Sequence, residues 1–330
     1  MKLLSDIDVS GKRVFLRGDL DVDVVNPADS VRLDNLKSTT DYLFEHGAQR
    51  ILLAGHIGRP QGPDPEFSTR NLLEPLKQIF GQEVFFQNNF EEENGGKIVL
   101  FENLRFWPEE EANDTDFAHT LVRLADVYIN EAFAVCHRAH ASMVGVPALL
   151  PHAAGLHLQK EVEELSKLLE APEKPFVAIV GGAKIETKIP VIQNLSKIAD
   201  TVLVGGYLPM EIKKQGLKFP ANVVVANLTG DTKDMDGSSI NKFVDAIGGA
   251  KTVVWNGNLG LTEEGFAGGT KSIAEAISQS GVYSVVGGGD TTAFLIRNGL
   301  IGRFSFISSG GGAMLEYLAG KKLPAIEALA

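Results

Sequence analysis

The chain has 330 residues, of which 44% are hydrophobic, and a formal net charge of −11. This length exceeds the size at which a single core usually divides, so two domains are expected. The negative charge argues against nucleic acid as a partner. Because the sequence lacks a long apolar run and a signal-peptide pattern, it predicts a cytoplasmic protein without a membrane span. A single cysteine, Cys136, excludes an intrachain disulfide and fits a reducing compartment.

In the first half, five short apolar runs each lead into polar or charged residues. The runs are RVFLR, RILLA, EVFF, KIVLF and DVYIN, and the residues that follow them include Asp19, His56, Arg59 and Arg105. Helical patterns such as 114–125 separate the runs, which predicts βαβ units and a parallel sheet. Ligands bind beyond the carboxyl ends of the strands in such sheets. The polar residues after the strands therefore predict a ligand crevice.

Arginine is concentrated in this half, since nine of the eleven arginines precede residue 158, whereas fifteen of the twenty lysines follow it. The basic side chains expected at one rim of the sheet are Arg17, Arg32, His56, Arg59, Arg105 and Arg138. Guanidinium groups that face one crevice repel each other unless a polyanion lies between them, and their planar donors suit carboxylate and phosphate. Asp19 and Asp21 point the same way from an extended segment and are candidates to accept hydrogen bonds from ligand hydroxyls. Each arginine taken alone is better explained as a surface or ion-pair residue, and it is their shared placement in loops on one side that favours a ligand site.

The pattern changes near the middle of the chain. Pro147, Pro151 and the run 152–155 interrupt it, and a charged helix from about 159 to 170 follows. We therefore predict one domain over residues 1–155 and a second over 156–321, with that helix as the connector. Cys136 beside His137 has no evident third orienting residue, which favours a packed structural cysteine over a nucleophile.

In the second half, five apolar runs lead into glycine turns. These are FVAIV into GGAK (181–184), TVLV into GG (205–206), KTVVW into NG (256–257), VYSVV into GGGD (287–290), and FSFI into SSGGG (308–312). Neither GxxxxGK[ST] nor GxGxxG occurs in the chain. Glycine turns that open helices nevertheless offer backbone N–H groups and a dipole that favour an anion.

Charged residues accompany these turns. Lys184 and Lys188 are four apart, so we expect them on one helical face and within reach of the same phosphate chain. Asp290 is a candidate to hold Mg²⁺, directly or through water. Thr291 either lines the same loop or caps the helix. Together, the lysines, the carboxylate and the glycine turns predict a site for a Mg-nucleotide.

These residues give the chain a resemblance to the phosphoglycerate kinase family along most of its length. The matching segments are RGDLDV (17–22), VRL (31–33), HIGRP (56–60), ENLRF (102–106), 132–142 with HRAH (137–140), GGAKIETKIP (181–190), VVWNGNLG (253–260), SVVGGGDT (284–291) and SSGGGA (308–313). The resemblance implies two doubly wound, parallel-sheet α/β domains joined by a hinge helix, with a C-terminal tail at about 322–330 that packs back on the first domain. It implies reversible phosphoryl transfer from 1,3-bisphosphoglycerate to ADP, which gives 3-phosphoglycerate and ATP, with Mg²⁺ as cofactor. A monomer is expected.

The resemblance also implies roles for individual residues. In the first domain, Asp19 and Asp21 would meet the glycerate hydroxyl and carboxylate, and the substrate's anionic groups would bind Arg32, His56, Arg59, Arg105 and Arg138. Arg32 and Lys184 would neutralise the phosphoryl group in transfer, to which Gly311 and Gly312 would donate. The nucleotide would bind Lys184, Lys188, Asn256, Glu263, Gly288, Gly289, Asp290 and Thr291, with Glu263 on the ribose and Asp290 placing Mg²⁺.

The chain also departs from the family pattern. Asp21 replaces an asparagine, Asn258 replaces a proline, YLPM (207–210) replaces a glycine-alanine-asparagine pattern, and DGSS (236–239) replaces aspartate-isoleucine-glycine-proline. The stretch 206–245 is shorter than in typical members. Because most of these changes fall where the family shapes its adenine pocket, a catalytically silent nucleotide- or metabolite-binding homologue remains an alternative. Asp21 leaves open a third possibility, a kinase with a different acyl phosphate.

Overall fold

In a computed structural model, which describes residues 1–24, 31–90 and 95–330, the chain divides into two compact units. The first comprises Met1–Val162 and Lys322–Ala330, and the second comprises Glu163–Lys321. The change of unit falls inside the helix Leu156–Glu170, a few residues after the predicted boundary at 155.

The first unit contains a parallel sheet with the strand order β3-β4-β2-β1-β5-β6. Its strands are β1 (Arg13–Arg17), β2 (Arg50–Ala54), β3 (Val84–Gln87), β4 (Ile98–Phe101), β5 (Val127–Asn130) and β6 (His152–Ala154). Its helices are α1 (Val31–Glu45), α2 (Leu73–Phe80), α3 (Pro108–Glu111), α4 (Thr115–Val122), α5 (Val146–Leu149), the first part of α6 (Leu156–Glu170), and α13 (Pro324–Glu327). Strands β2, β4 and β5 are buried over nearly their whole length, because helices cover both faces of the sheet.

The second unit contains a parallel sheet with the order β12-β11-β10-β7-β8-β9. Its strands are β7 (Phe176–Val180), β8 (Thr201–Val204), β9 (Val223–Val225), β10 (Thr252–Asn256), β11 (Tyr283–Gly287) and β12 (Phe306–Ser308). Its helices, after the end of α6, are α7 (Ile185–Ile198), α8 (Leu208–Gln215), α9 (Gly237–Gly248), α10 (Gly268–Ser280), α11 (Gly289–Arg297) and α12 (Gly311–Leu318). Read from β9, this is the order of a doubly wound nucleotide-binding sheet, whose direction reverses between β7 and β10.

The predicted fold class of two doubly wound parallel sheets is therefore confirmed. All ten apolar runs form strands, whereas β6 and β9 were not predicted. Strand β6 follows Pro151 in the run that reads as a break, and it pairs with β5, while its last residue, Ala154, also forms an isolated parallel bridge with Leu3. Strand β9 is a half-buried edge strand whose pairing with β8 comes from tertiary structure.

The C-terminal segment packs on the first unit. The N–H of Lys2 donates to the carbonyl of Leu329 at 2.7 Å, and the N–H of Ala325 donates to the carbonyl of Cys136 at 3.1 Å. Leu323 and Leu329 are buried beside them. Among the described residues, no helix combines the length and apolar character that crossing a bilayer requires.

Candidate functional site

The first unit gathers charged side chains where the order of its sheet reverses, between β1 and β5. Arg32 lies in the first turn of α1, and its Nε is 3.4 Å from Oδ2 of Asp19, which follows β1. Arg32 Nη1 also donates to the carbonyl of Asp21 at 2.6 Å. Burial raises the pKa of Asp19, and the Arg32 guanidinium opposes that shift. The ion pair therefore holds Arg32 at the strand ends.

Asp21 links this pair to the loop after β2. Its Oδ1 accepts a hydrogen bond from the N–H of Gly58 at 2.8 Å, and its Oδ2 lies 3.8 Å from Arg32 Nη1 and 3.9 Å from His56 Nε2. The Asp21 side chain is 42% exposed, so solvent reaches its charge. Asp21 is thus a second carboxylate, beside Asp19, in a cluster that also contains Arg32, His56 and Arg105.

His56 and Arg105 form the inner part of this cluster. Burial and the nearby Arg17 and Arg105 guanidiniums lower the pKa of His56 well below its usual value, so the ring is neutral. Arg105 is also buried, and its Nη1 donates to the carbonyl of Gly58 at 2.6 Å while its Nε lies 3.0 Å from Oε1 of Glu111. Burial lowers the pKa of Arg105, but a guanidinium remains charged near neutral pH.

The remaining first-half candidates lie at the border of the cluster. Arg138 is half-buried, and its charge contributes to the lowered pKa values of His56 and Arg105. Arg59 is exposed and follows Gly58, whose backbone contacts Asp21 and Arg105. The structure therefore brings Asp19, Asp21, Arg32, His56 and Arg105 together and leaves Arg59 at the edge.

Cys136 is not part of this cluster of charged side chains. It is fully buried, and burial raises the pKa of its thiol well above the usual value. A buried thiol of this kind packs like a small apolar side chain.

In the second unit, the candidate residues line one cavity of about 450 Å³ at the carboxyl ends of the strands. Those among its lining residues that the sequence predicts are Lys184, Lys188, Asn256, Glu263, Gly288, Gly289, Asp290, Thr291, Gly311 and Gly312. The cavity extends across the point where the order of the sheet reverses, which is where doubly wound sheets bind their ligands.

Three helices begin at the wall of this cavity. They are α7, α11 and α12, which start at Ile185, Gly289 and Gly311, and none of the residues before these starts provides a side-chain cap. By contrast, Asp236 caps α9 by accepting from the N–H of Ser239 at 2.7 Å. The first N–H groups of a helix need partners from outside the helix, and an anion is a favourable one.

Close backbone contacts between loops shape the floor of the cavity. A Cβ atom on Gly181 would lie 2.3 Å from the carbonyl oxygen of Asn258, and one on Gly257 would lie 2.4 Å from Gly181. Gly257 also has a φ of +97°, which disfavours other residues. Only glycine permits the loops after β7 and β10 to approach this closely.

Lys188 is the buried cation of the cavity. Its Nζ donates to Oδ1 of Asn256 at 2.6 Å, and burial lowers its pKa to about 8. Lys184 is exposed and precedes α7, so the prediction that both lysines share one helical face is wrong. They nevertheless line the same cavity, and a Cβ atom on Gly182 in the GGAK turn would lie 3.7 Å from Cε of Lys188.

The structure excludes one of the two roles expected for the Thr291 hydroxyl. Helix α11 starts at Gly289 without a side-chain cap, so the alternative that Thr291 caps it is wrong. Thr291 is fully buried, and among the described residues its Oγ1 has no hydrogen-bond partner. A buried hydroxyl without a partner is costly, which favours a ligand contact at this position.

Sequence reasoning missed several residues that line the cavity. They are Thr187, Tyr207, Asn258, Leu261 and Leu315. Asn258 is buried and its Nδ2 donates to Oγ1 of Thr262 at 2.7 Å. The signals in the sequence were its place directly after the NG turn and its replacement of a family proline, whereas the hydrogen bond depends on the fold of the loop.

The cavity fits a metal that arrives with a phosphate ligand. Among the described residues, no group of three or more His, Cys, Asp or Glu side chains is placed to hold a metal ion. Asp290 supplies one exposed carboxylate. Mg²⁺ typically takes one or two carboxylates and completes its shell with water and phosphate oxygens.

We next compare the chain with known proteins. The family model described as phosphoglycerate kinase matches residues 4–229 and 219–321. The phosphoglycerate kinase of Pelotomaculum thermopropionicum is 38% identical over 388 residues, covering 99% of this chain and 98% of the relative. That of Moorella thermoacetica is 38% identical over 386 residues, with the same coverage. The structure of phosphoglycerate kinase from Coxiella burnetii has a TM-score of 0.83 at 31% identity and covers 100% of this chain and 99% of that chain.

These alignments also locate a shortened region. The alignment to the Pelotomaculum relative is longer than the chain itself, and the family match is split at 219–229. The split lies within the stretch 206–245 that the sequence analysis predicts to be shortened. In this stretch α8, β9 and α9 follow one another closely.

We expect the free energy of unfolding to depend on pH, because the ammonium group of Lys188 is buried. Its pKa is about 8 in the folded protein and 10.5 for an unperturbed lysine, so between these values the unfolded chain binds more protons. Stability therefore rises with pH over this window, by up to about 3 kcal/mol. In Lys188→Met, this contribution to the free energy of unfolding of the second unit should be absent. Urea unfolding at pH 7.5, 9 and 10.5 measures the free energy of unfolding of wild type and Lys188→Met.

The exposed Lys213 on α8 provides a matched control, since Lys213→Met should leave the rise intact. An identical pH dependence in wild type and Lys188→Met would contradict the buried, destabilised ammonium.

Proposed function

The chain belongs to the phosphoglycerate kinase family, and we propose that it transfers a phosphoryl group reversibly between 1,3-bisphosphoglycerate and ADP, giving 3-phosphoglycerate and ATP. In this proposal, the first unit binds the glycerate and the second unit binds the nucleotide. The observation that carries the proposal is that every predicted nucleotide residue lines a single cavity at the strand ends of the second unit.

On the glycerate side, basic groups receive the phosphate and carboxylate of the substrate. Arg32, His56 and Arg105 lie within one cluster, and Arg59 and Arg138 extend it at the border. Arginine's fork suits both anionic groups, and it remains charged when partly buried. Asp19 and Asp21 are acceptors for the substrate hydroxyl.

On the nucleotide side, the positive ends of α7, α11 and α12 receive the phosphate chain together with Lys184 and Lys188. Thr291 and Asn256 add polar contacts, and Gly288 and Gly289 let the backbone approach the phosphates. Glu263 accepts from the ribose hydroxyls. Asp290 would hold the Mg²⁺ that is bound to the phosphates, where the ion neutralises charge on the group in transfer.

The chemistry requires little covalent work from the protein. Phosphoryl transfer proceeds through a loose transition state with charge on the equatorial oxygens, so catalysis consists of alignment and charge stabilisation. We assign the stabilising charge to Arg32 and Lys184 and the backbone donors to Gly311 and Gly312. Direct transfer also requires that the substrates meet with water excluded, and we assign hinge motion to residues 151–159 and 322–330. The cytoplasmic location and the monomeric state predicted from the sequence remain part of this proposal.

A coupled assay with ADP and GDP side by side tests this function. We expect turnover of the acyl phosphate with MgADP, and the ratio of the two kcat/KM values measures base preference. A catalytically silent homologue would show no turnover with either nucleotide while remaining folded. Calorimetry with MgADP then distinguishes a protein that binds without turnover from one that does not bind.

Replacing Arg32 tests the proposed charge stabilisation. Arg32→Ala should lower kcat by about 100-fold with a modest change in KM, because the lost interaction is made chiefly in the transition state. Steady-state kinetics measures both constants. The exposed Arg123 on the same unit provides a control, since Arg123→Ala should leave kcat unchanged. An unaltered kcat in Arg32→Ala would refute the role of Arg32.

Asp21 generates a prediction about substrate affinity. Asp21→Asn keeps an oxygen that accepts from Gly58 and removes a negative charge beside an anionic substrate. The KM for 3-phosphoglycerate should fall several-fold, and the effect should shrink at high salt because the group is partly exposed. Asp116→Asn, an exposed change on α4, is the control. A rise in KM would mean that the charge of Asp21 is needed to accept the substrate hydroxyl.

A further inference from the structure

Arg17 differs from the other arginines of the first unit. It is the last residue of β1, it is fully buried, and each of its three nitrogen atoms has a hydrogen-bond acceptor. The prediction that Arg17 faces the ligand at the rim of the sheet is therefore wrong. Because all three side-chain nitrogens of Arg17 are hydrogen-bonded within the protein, we consider its effect on the residues that it contacts. The inference that follows rests on the proposed function.

The contact between Arg17 and His56 fixes the proton on the imidazole. Arg17 Nη2 lies 3.0 Å from His56 Nδ1. A guanidinium donates and cannot accept, so Nδ1 must present its lone pair. Because His56 is neutral, its single ring proton is on Nε2. That nitrogen lies 3.9 Å from Asp21 Oδ2, toward the proposed substrate site.

Two further residues fix the position of the guanidinium. Arg17 Nε donates to Oγ of Ser142 at 2.9 Å. The hydroxyl of Ser142 donates in turn to Glu110 Oε1 at 2.6 Å, and the N–H of Ser142 donates to Oε2 of the same carboxylate at 2.9 Å. Glu110 is 1% exposed, so its acceptance of two hydrogen bonds compensates its burial. The hydrogen bonds of this chain therefore run outward from Arg17, to His56 on one side and through Ser142 to Glu110 on the other.

We propose that Arg17 is a positioning residue, which holds His56 in the Nε2–H tautomer so that the ring presents a donor to an anionic group of the substrate. Ser142 and Glu110 hold the guanidinium in place. Without Arg17, the proton of a neutral imidazole is free to move to Nδ1, and Nε2 then presents a lone pair to an anion. The tautomer thus decides whether His56 attracts or repels the substrate.

Nitrogen-15 NMR of the histidine rings tests the proposal, since the two tautomers have different ring-nitrogen shifts. At pH 8, the wild type should show His56 as the Nε2–H tautomer, with the signal assigned by its loss in His56→Gln. Arg17→Met should give a mixture of tautomers and raise the KM for 3-phosphoglycerate about tenfold, with a smaller change in kcat. A purely structural role would not change the tautomer.

A milder variant and a control complete the test. Ser142→Ala removes the link to Glu110 and should shift the tautomer in the same direction, which keeps the test available if Arg17→Met does not fold. Thr40→Val is the control, because Thr40 is fully buried and its hydroxyl has no partner among the described residues, so neither readout should change. The proposal is overturned if the wild type shows Nδ1–H, or if the tautomer is the same in the folded variants. Absence of turnover in a wild type that has the Nε2–H tautomer would instead refute the proposed function.

Discussion

Burial of charge at the ends of buried strands is the constraint on which both units depend. Helices cover both faces of each sheet, so an ionised side chain is accommodated at the strand ends only where a partner or a ligand compensates its lost hydration. Arg17 is compensated through Ser142 and Glu110, and Asp19 is compensated by Arg32. Within the described part of the chain, the direct hydrogen-bond partner of Lys188 is a neutral amide, that of Asn256. The lower pKa of Lys188 follows from this difference.

The two units therefore prepare for an anion in different ways. The first unit has side-chain charges that are already paired, so in the proposed function the glycerate would join an existing network around Asp21, Arg32 and His56. The second unit uses backbone N–H groups at uncapped helix starts, together with one buried ammonium. This difference explains why arginine is concentrated in one half of the sequence, and lysine and glycine turns in the other.

Local signals made much of this structure predictable. The ten apolar runs and the glycine turns are short-range patterns, and they sufficed for ten strands and the fold class, while the family resemblance supplied Asn256 and Glu263 among the cavity residues. Properties that depend on tertiary contacts were not predictable. Nothing local distinguishes buried Arg17 from exposed Arg59, and the start of α7 at Ile185, which places Lys184 outside the helix, depends on the packing of the loop. Edge strands β6 and β9 were missed for the same reason.

Two departures from the family pattern lie apart from the others, since Asp21 is in the first unit and Asn258 follows β10, whereas 207–210 and 236–239 both fall in the stretch 206–245. The stretch 206–245 runs from α8 into α9 and includes the turn where Asp234 accepts from the N–H of Gly269 at 3.1 Å and Asp236 caps α9. These elements surround β9 at the edge of the sheet, whereas the uncapped helix starts lie near β7, β11 and β12. Gly181 and Gly257, which make the close contact between the β7 and β10 loops, lie outside the shortened stretch. Tyr207 lies within that stretch, whereas Lys188 and the starts of α11 and α12 lie outside it, so shortening should affect the surroundings of Tyr207 more than the groups that we propose bind the phosphates.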